Sequence, residues 1–239
     1  MDEGPRGWAA PLYERVLDAA RIGPGTRVLD VGCGAGGFAG AAVARGAVVH
    51  GVDADPAAVA SAAAQVPGAT FAVGDAHDPA APGPVDVVAA VQVLAHLRDP
   101  LRALRTAAAA APVVALTAWG DERECDVRAF GEALEPWLGP RRVPPAPPPG
   151  APDPLVALVE RAGLVVAVDD RVVCPFHYPD EDELLAPLFD SGIGRHAVNR
   201  AGPAAVRAAV LERVERHRTA DGGYRLDNTF RVLTAARAG

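Results

Sequence analysis

The chain contains no lysine; all 23 of its basic residues are arginine. That excludes Schiff-base chemistry, pyridoxal phosphate attachment and the lysine of a phosphate-binding loop. Cysteine is scarce as well. Cys33, Cys125 and Cys174 are odd in number and scattered, with no CxxC and no histidine at metal spacing. This excludes a disulfide framework and a zinc site, and it suits a reducing compartment. No apolar run is long enough to span a bilayer: Ala107 to Trp119 is broken by Pro112 and falls short of roughly 18 residues. The N-terminus, Met1-Asp2-Glu3-Gly4-Pro5, is acidic with no apolar stretch behind it, unlike a signal peptide. Positive charge is in deficit, with a formal net charge of −7, which argues against a nucleic-acid partner and against a membrane surface. A soluble, cytoplasmic chain is expected, and 239 residues suffice for one α/β domain with a small cap.

What is present alternates between two periods. Pro11 to Ala20 has apolar residues at helical spacing (Leu12, Val16, Leu17, Ala20). Strands are expected at Arg27 to Val31, Val48 to Asp53, Thr70 to Val73, Asp86 to Val91 and Val113 to Thr117, with helices at Phe38 to Ala44, Asp55 to Gln65 and Leu101 to Ala109. Continuous apolar strands alternating with helices imply a doubly wound, mostly parallel sheet. After Trp119 the pattern breaks. Asp121 to Leu138 reads as a polar helix and Pro140 to Pro154 as a proline-rich lid or linker. Leu155 to Ala162 resumes the helices, Leu164 to Val173 gives a sixth strand, and Arg225 to Ala235 a seventh that the short two-helix connection leaves free to run antiparallel. Between these strands lie two helices, Asp180 to Phe189 and Pro203 to Arg218. The expected layout is a core at 1–119, a lid or linker at 120–154, and the rest of the core at 155–239 with a cap inserted at about 180–222.

Gly32-Cys33-Gly34-Ala35-Gly36-Gly37 lies where the first strand hands over to a helix. It fits both GxGxG and the GxGxxG of dinucleotide sites, and Asp53 at the second strand end suits a ribose in either case. Asp30 separates the two. A carboxylate two residues before the loop would repel pyrophosphate but would welcome a cationic amino-acid group.

The string Val28-Leu29-Asp30-Val31-Gly32-Cys33-Gly34-Ala35-Gly36, with Val52-Asp53, Val73-Gly74-Asp75-Ala76, Val85-Asp86-Val87-Val88 and Val93-Leu94-Ala95-His96-Leu97, resembles the class I methyltransferases that use S-adenosylmethionine (SAM). The resemblance spans roughly residues 27 to 100. It implies a seven-stranded Rossmann-like sheet with a small helical lid or cap, SAM as cofactor, and methyl transfer to a small-molecule acceptor, by default one of secondary metabolism. It assigns Asp30 and the Gly32 carbonyl to the methionine ammonium, Gly34 and Gly36 to close backbone approach, and Asp53 to the ribose. Asp75 and the Ala76 amide would read adenine, with Ala54 and Val91 as further cofactor contacts. Asp75 also suits a cap. Ala54 departs from the pattern, standing where a larger apolar residue usually packs on the adenine.

A sulfonium methyl is already activated, so the protein's task is alignment and, for some acceptors, proton removal. The ligand edge offers Gln92, Trp119, Phe176 and Tyr224 for substrate, with His196 in the cap. His177, His96 and Tyr178 are the candidate catalytic groups; His177 stands out because its sequence neighbours are apolar, although a packed strand-end histidine explains it as well. No metal is implied by Asp227-Asn228, and a monomer or homodimer is expected. Two other functions stay open: a non-methylating reaction on the same fold, such as cyclisation, elimination or rearrangement, and a non-catalytic binding module.

Overall fold

The computed structural model describes residues 4–79, 81, 83–139 and 153–237. The proline-rich stretch expected as a lid or linker falls almost wholly outside them. Seven strands form one sheet in the order β3-β2-β1-β4-β5-β7-β6. These are β1 (Arg27–Val31), β2 (Val48–Asp53), β3 (Thr70–Val73), β4 (Val87–Ala90), β5 (Val113–Trp119), β6 (Leu164–Tyr178) and β7 (Tyr224–Arg237). The first five pair in parallel. β7 runs antiparallel between β5 and β6.

Helices α1 (Ala10–Ala19) and α2 (Gly37–Ala44) cover one face of the sheet, and α4 (Pro100–Ala110) and α6 (Pro154–Arg161) the other; α3 (Pro56–Gln65) packs on β2 and β3. The starts of α3, α4 and α6 share one local device. Asp55, Asp99 and Asp153 each accept backbone N–H bonds from the first turn, and a proline follows each at the first helical position. The core is two-layered. Val28, Val87, Ala89, Ala115 and Val232 point to the α1 face, and Leu29, Val31, Val88, Val114 and Leu116 to the other. No helix is long and apolar enough to cross a membrane among the described residues.

Three features differ from expectation. β6 continues to Tyr178 rather than ending at Val173, because Pro175 is tolerated on this outermost strand. An extra helix, α8 (Gly192–Ala201), lies between α7 (Glu181–Asp190) and α9 (Pro203–Val214). Its glycines hide it in the sequence, yet Gly194 is required there: a Cβ would come within 1.9 Å of the Leu188 carbonyl oxygen. Finally, α5 (Arg128–Leu138) packs against α8 and α9, so this part of the segment after β5 joins the cap.

The cap is tied to the sheet through β7. Past Trp119 the chain returns to β7 at a Cys125–Asn228 bridge. The fully buried Asn228 accepts from the Val127 amide at 3.1 Å and donates to the Leu226 carbonyl at 3.1 Å. Asn228→Ala should therefore lower unfolding free energy by about 1–3 kcal/mol, the cost of leaving those groups without partners. Urea denaturation with an unchanged slope checks it; a midpoint equal to the parent's would show that the side-chain bonds contribute nothing net.

Candidate functional site

The order of the sheet reverses between β1 and β4, and the crevice at that reversal, outside the carboxyl ends of the strands, is where doubly wound folds bind ligands. The glycine loop enters it directly from β1. Two loop amides, of Gly32 and Cys33, donate to the Val52 carbonyl at 2.7 and 3.1 Å and fasten the loop to β2. At Gly32 (φ +73°) a side chain would collide with Val93, whose Cγ2 lies 2.3 Å from the Cβ position. Gly34 (φ +52°) faces open space, so a ligand can approach its backbone.

Beneath the loop lies Asp30, 1% exposed, and its Oδ2 has no hydrogen-bond partner among the described residues. Burial, and secondarily the charge of Asp53, raises its carboxyl to about 7. The same surroundings push the Cys33 thiol up to about 12, burial first and then Asp30 and Asp53, which removes it as a nucleophile. Asp53 ends β2 with both oxygens engaged: Oδ2 accepts from Gly34 N at 2.8 Å and Oδ1 from Asp55 N at 2.9 Å. Each oxygen keeps a second acceptor direction. Two carboxylates converge on a loop of open glycine backbone, and one of them is buried without a partner. That donor set fits a ligand carrying an ammonium beside sugar hydroxyls, as SAM does.

Further along the edge, a recess of about 450 Å³ is lined by Ala54, Val73, Gly74, Asp75, His77, His96, Leu97 and Arg98. Asp75 accepts from the His77 backbone amide at 2.9 Å and pairs with His77 Nδ1 at 2.6 Å. These bonds hold its carboxyl below the usual range. It thus caps a turn and faces the recess at once. Ala54 is exposed on the recess wall, and Ala76 and Val91 are half-buried beside the two cores.

At the end of β4, Gln92 adopts φ +56°, rare for a residue with a side chain. Such strain costs about 1–3 kcal/mol. The buried Thr117 of β5 compensates by accepting from both the Gln92 amide (2.8 Å) and its side-chain Nε2 (2.9 Å). Two residues on, Trp119 stacks on Phe230 with ring centroids 4.3 Å apart; Trp8 and Phe176 complete the cluster. Above Trp119, a second cavity of about 290 Å³ is lined by Trp119, Gly120, Glu122, Cys125, Val127, Arg128 and Gly131.

Several expected residues lie elsewhere. His177 is exposed: along β6, Cys174, Phe176 and Tyr178 point inward and His177 outward, so the apolar neighbours that singled it out face the other way. Tyr178 is buried and its hydroxyl is pushed up to about 12 by that burial, so it cannot act as a base near neutrality. It pairs with Tyr224, six residues along β7 from Phe230, or about 20 Å at roughly 3.3 Å per residue. Tyr224 is accordingly buried under the cap, beneath the Arg218 guanidinium, and its hydroxyl has no partner among the described residues. His196 is exposed on α8. His96 lines the recess with Asp75, not the Trp119 cavity. Gly36 faces α3, where a Cβ would meet Ala62 at 3.1 Å, and so serves packing. Sequence reasoning missed Thr117, whose signal is a lone hydroxyl in an apolar strand; it also missed His77, and Tyr13, whose ring lies over Gly37 at the loop's end. Among the described residues no cluster of three or more potential ligands could hold a metal.

A family model described as a methyltransferase domain matches residues 29–110. A ubiquinone biosynthesis O-methyltransferase of Sodalis glossinidius (strain morsitans) is 40% identical over 90 residues, covering 35% of this chain and 36% of that protein. The protein of the same name from Xanthomonas campestris pv. campestris (strain B100) is 40% identical over 119 residues, covering 44% and 48%. The matches thus span less than half the length of these curated relatives. Likeness over the whole chain is one of fold. A Bacillus halodurans C-125 protein named as a candidate methyltransferase superimposes with a TM-score of 0.61 at 16% identity, covering 95% of this chain and 99% of its own. Magnesium protoporphyrin IX methyltransferase of Synechocystis PCC 6803, with bound S-adenosylhomocysteine, gives 0.56 at 16% over 96% and 84%. The 4+2 cyclase SpnF gives 0.54 at 22% over 95% and 80%.

Because the folded-state pKa of Asp30 is raised, its protonated form favours the free fold. That contribution is complete below about pH 4 and disappears as pH rises through about 7. A ligand ammonium reverses the preference, since it needs the ionised form. The affinity ratio of wild type to Asp30→Asn for S-adenosylhomocysteine should therefore grow between pH 6 and about 7.5 and then level off. Calorimetry at several pH values measures this, and the ratio cancels the titration of the ligand itself; a flat ratio would mean that Asp30 does not meet the ammonium.

Proposed function

On the premise that the chain belongs, by domain match and fold, to the class I SAM-dependent methyltransferases, we propose that it transfers a methyl group from SAM to a small organic acceptor, of the kind met in secondary metabolism. The observation that carries this reading is the buried, partnerless Asp30 oxygen under a glycine loop whose Gly34 amide is held by Asp53. SAM supplies an activated methyl on a cationic sulfur.

The chain's own residues bind, orient and exclude water. Asp30 meets the ammonium, Asp53 the ribose hydroxyls, and Asp75 the adenine amine. Thr117 fixes the strained Gln92 beside the loop, so the floor of the reaction space is set by two strand ends and not by mobile side chains. The cavity above Trp119 is the acceptor pocket of this proposal. An apolar cavity of about 150 Å³ holds benzene, so about 290 Å³ suits a substituted single ring or a small bicycle. None of His177, His96 or Tyr178 lines that cavity. For an acceptor that enters already ionised, catalysis then rests on alignment, which can supply about 7–11 kcal/mol of a barrier; an un-ionised phenol would pass its proton to water or to the Glu122 carboxylate on the cavity wall. The O-methyltransferase names of the relatives support an oxygen acceptor.

SAM and its demethylated product should raise the melting temperature and NAD should not, by mass action worth about 2.7 kcal/mol at a hundredfold excess over Kd. Asp53→Ala should weaken binding by about 2–4 kcal/mol through loss of two charge-assisted bonds. Stabilisation by NAD alone would end the proposal. Incubation with SAM and candidate phenols, scored by mass, separates methyl transfer from cyclisation, because only transfer adds one methylene unit.

A further inference from the structure

The glycine loop and its carboxylates do not require a histidine at position 77. We propose that His77 is a positioning residue that holds the Asp75 carboxylate in the orientation that accepts from a 6-amino purine, and thereby sets how strongly the site rejects a 6-oxo purine. The proposal rests on the reading that the recess beside β3 takes the adenine of SAM.

The Asp75 side chain is 68% exposed, so nothing in its packing would stop it rotating. His77 grips it twice through one oxygen. The backbone amide donates to Oδ1 at 2.9 Å, and ring Nδ1 lies 2.6 Å from the same Oδ1. With Oδ1 fixed, Oδ2 is the oxygen that meets a ligand N–H. His77 is itself held: its carbonyl accepts from the Thr106 hydroxyl of α4 at 3.1 Å, and its side chain is only 15% exposed. A ring nitrogen bonded to a carboxylate carries the proton, so in the neutral ring Nε2 is left as an acceptor. Nε2 is buried with no partner among the described residues. Burying a polar atom unpaired is costly and needs a reason. The Nδ1–Oδ1 bond supplies one.

A fixed carboxylate discriminates for a simple reason. It accepts from a 6-amino group, but it opposes a 6-oxo group with acceptor against acceptor. A site built to bond a given polar group rejects an analogue lacking it far more strongly than an apolar pocket does. A carboxylate free to rotate can swing away from the oxo group, so freedom erodes rejection before it erodes binding.

The test is calorimetric titration with S-adenosylhomocysteine and its 6-oxo counterpart, S-inosylhomocysteine, on wild type, His77→Ala and His77→Asn. The asparagine substitution keeps an N–H donor on the γ carbon, where Nδ1 is attached, and removes the rest of the ring. Wild type should prefer the adenine form. His77→Ala should bind that form roughly three- to tenfold more weakly, the cost of ordering one more side chain on binding, and its preference over the 6-oxo form should fall by at least that factor. His77→Asn should recover most of the preference. Nitrogen NMR of the ligand-free wild type should show His77 protonated on Nδ1. Equal loss of affinity for both ligands in His77→Ala would mark a merely structural residue and overturn the proposal, as would an Nε2-protonated ring or an asparagine variant no better than alanine. Wild type that binds neither ligand would overturn the cofactor reading together with this one; an unaltered preference in His77→Ala with adenine binding intact would overturn this one alone.

Discussion

A carboxylate buried under open glycine backbone, with one oxygen unpartnered among the described residues and a second carboxylate close by, sets the terms for the rest of the site. Like charges repel and buried charges are costly, so in the ligand-free fold ionisation of Asp30 is opposed and its protonated form is preferred. The loop cannot relieve that conflict, because Gly32 is wedged against Val93 and both Gly32 and Cys33 are fastened to β2. A ligand cation that draws out the ionised form thus meets a frame already fixed, and its binding needs no loop rearrangement.

The acceptor side is organised by a different constraint, the antiparallel β7. Inserted between β5 and β6, it carries the sheet well past the end of β5. The overhang needs cover, and α5 with the three helices of the insertion provides it through Leu134, Leu184, Val206 and Val210. Asn228 and Cys125 bind the chain after β5 to this overhang, so the second cavity is walled by an anchored turn and the first turn of a packed helix. In the proposed reading the cofactor contacts come from β1 to β4, and the acceptor contacts from the segment after β5. The two halves meet at Gln92 and Thr117.

The cofactor half was legible because its chemistry lies in loops directly after buried parallel strands, which read as apolar runs. Asp30, Asp53 and the Asp-Pro helix starts announce themselves by residue type alone. The acceptor half was not legible, and His177 shows why. In a strand, sequence neighbours point to opposite faces, so Phe176 and Tyr178 say nothing about the surroundings of the residue between them. Pro175 misplaced the end of β6 because proline forbids a central strand but not an outer one. Ser191, Gly192 and Gly194 concealed α8 because helix propensity is a weak prior that a tight contact at Leu188 overrides.

Thr117 and His77 were missed for a shared reason. Neither would touch a reacting atom; each fixes a neighbour to which the proposed function gives a place beside the ligand. Motif reasoning finds residues whose type matches a ligand group, and it passes over those whose type matches another side chain. Gln92 at φ +56° is tenable because Thr117 accepts from it twice, and the exposed Asp75 is engaged twice by His77, which donates its backbone amide to Oδ1 and places ring Nδ1 against the same oxygen. Both pairs convert a mobile or strained group into a fixed one before any ligand arrives, which lowers the ordering cost of binding. In the proposed reaction, whose electrophile needs no activation, that fixed geometry is the main thing the protein would have to contribute.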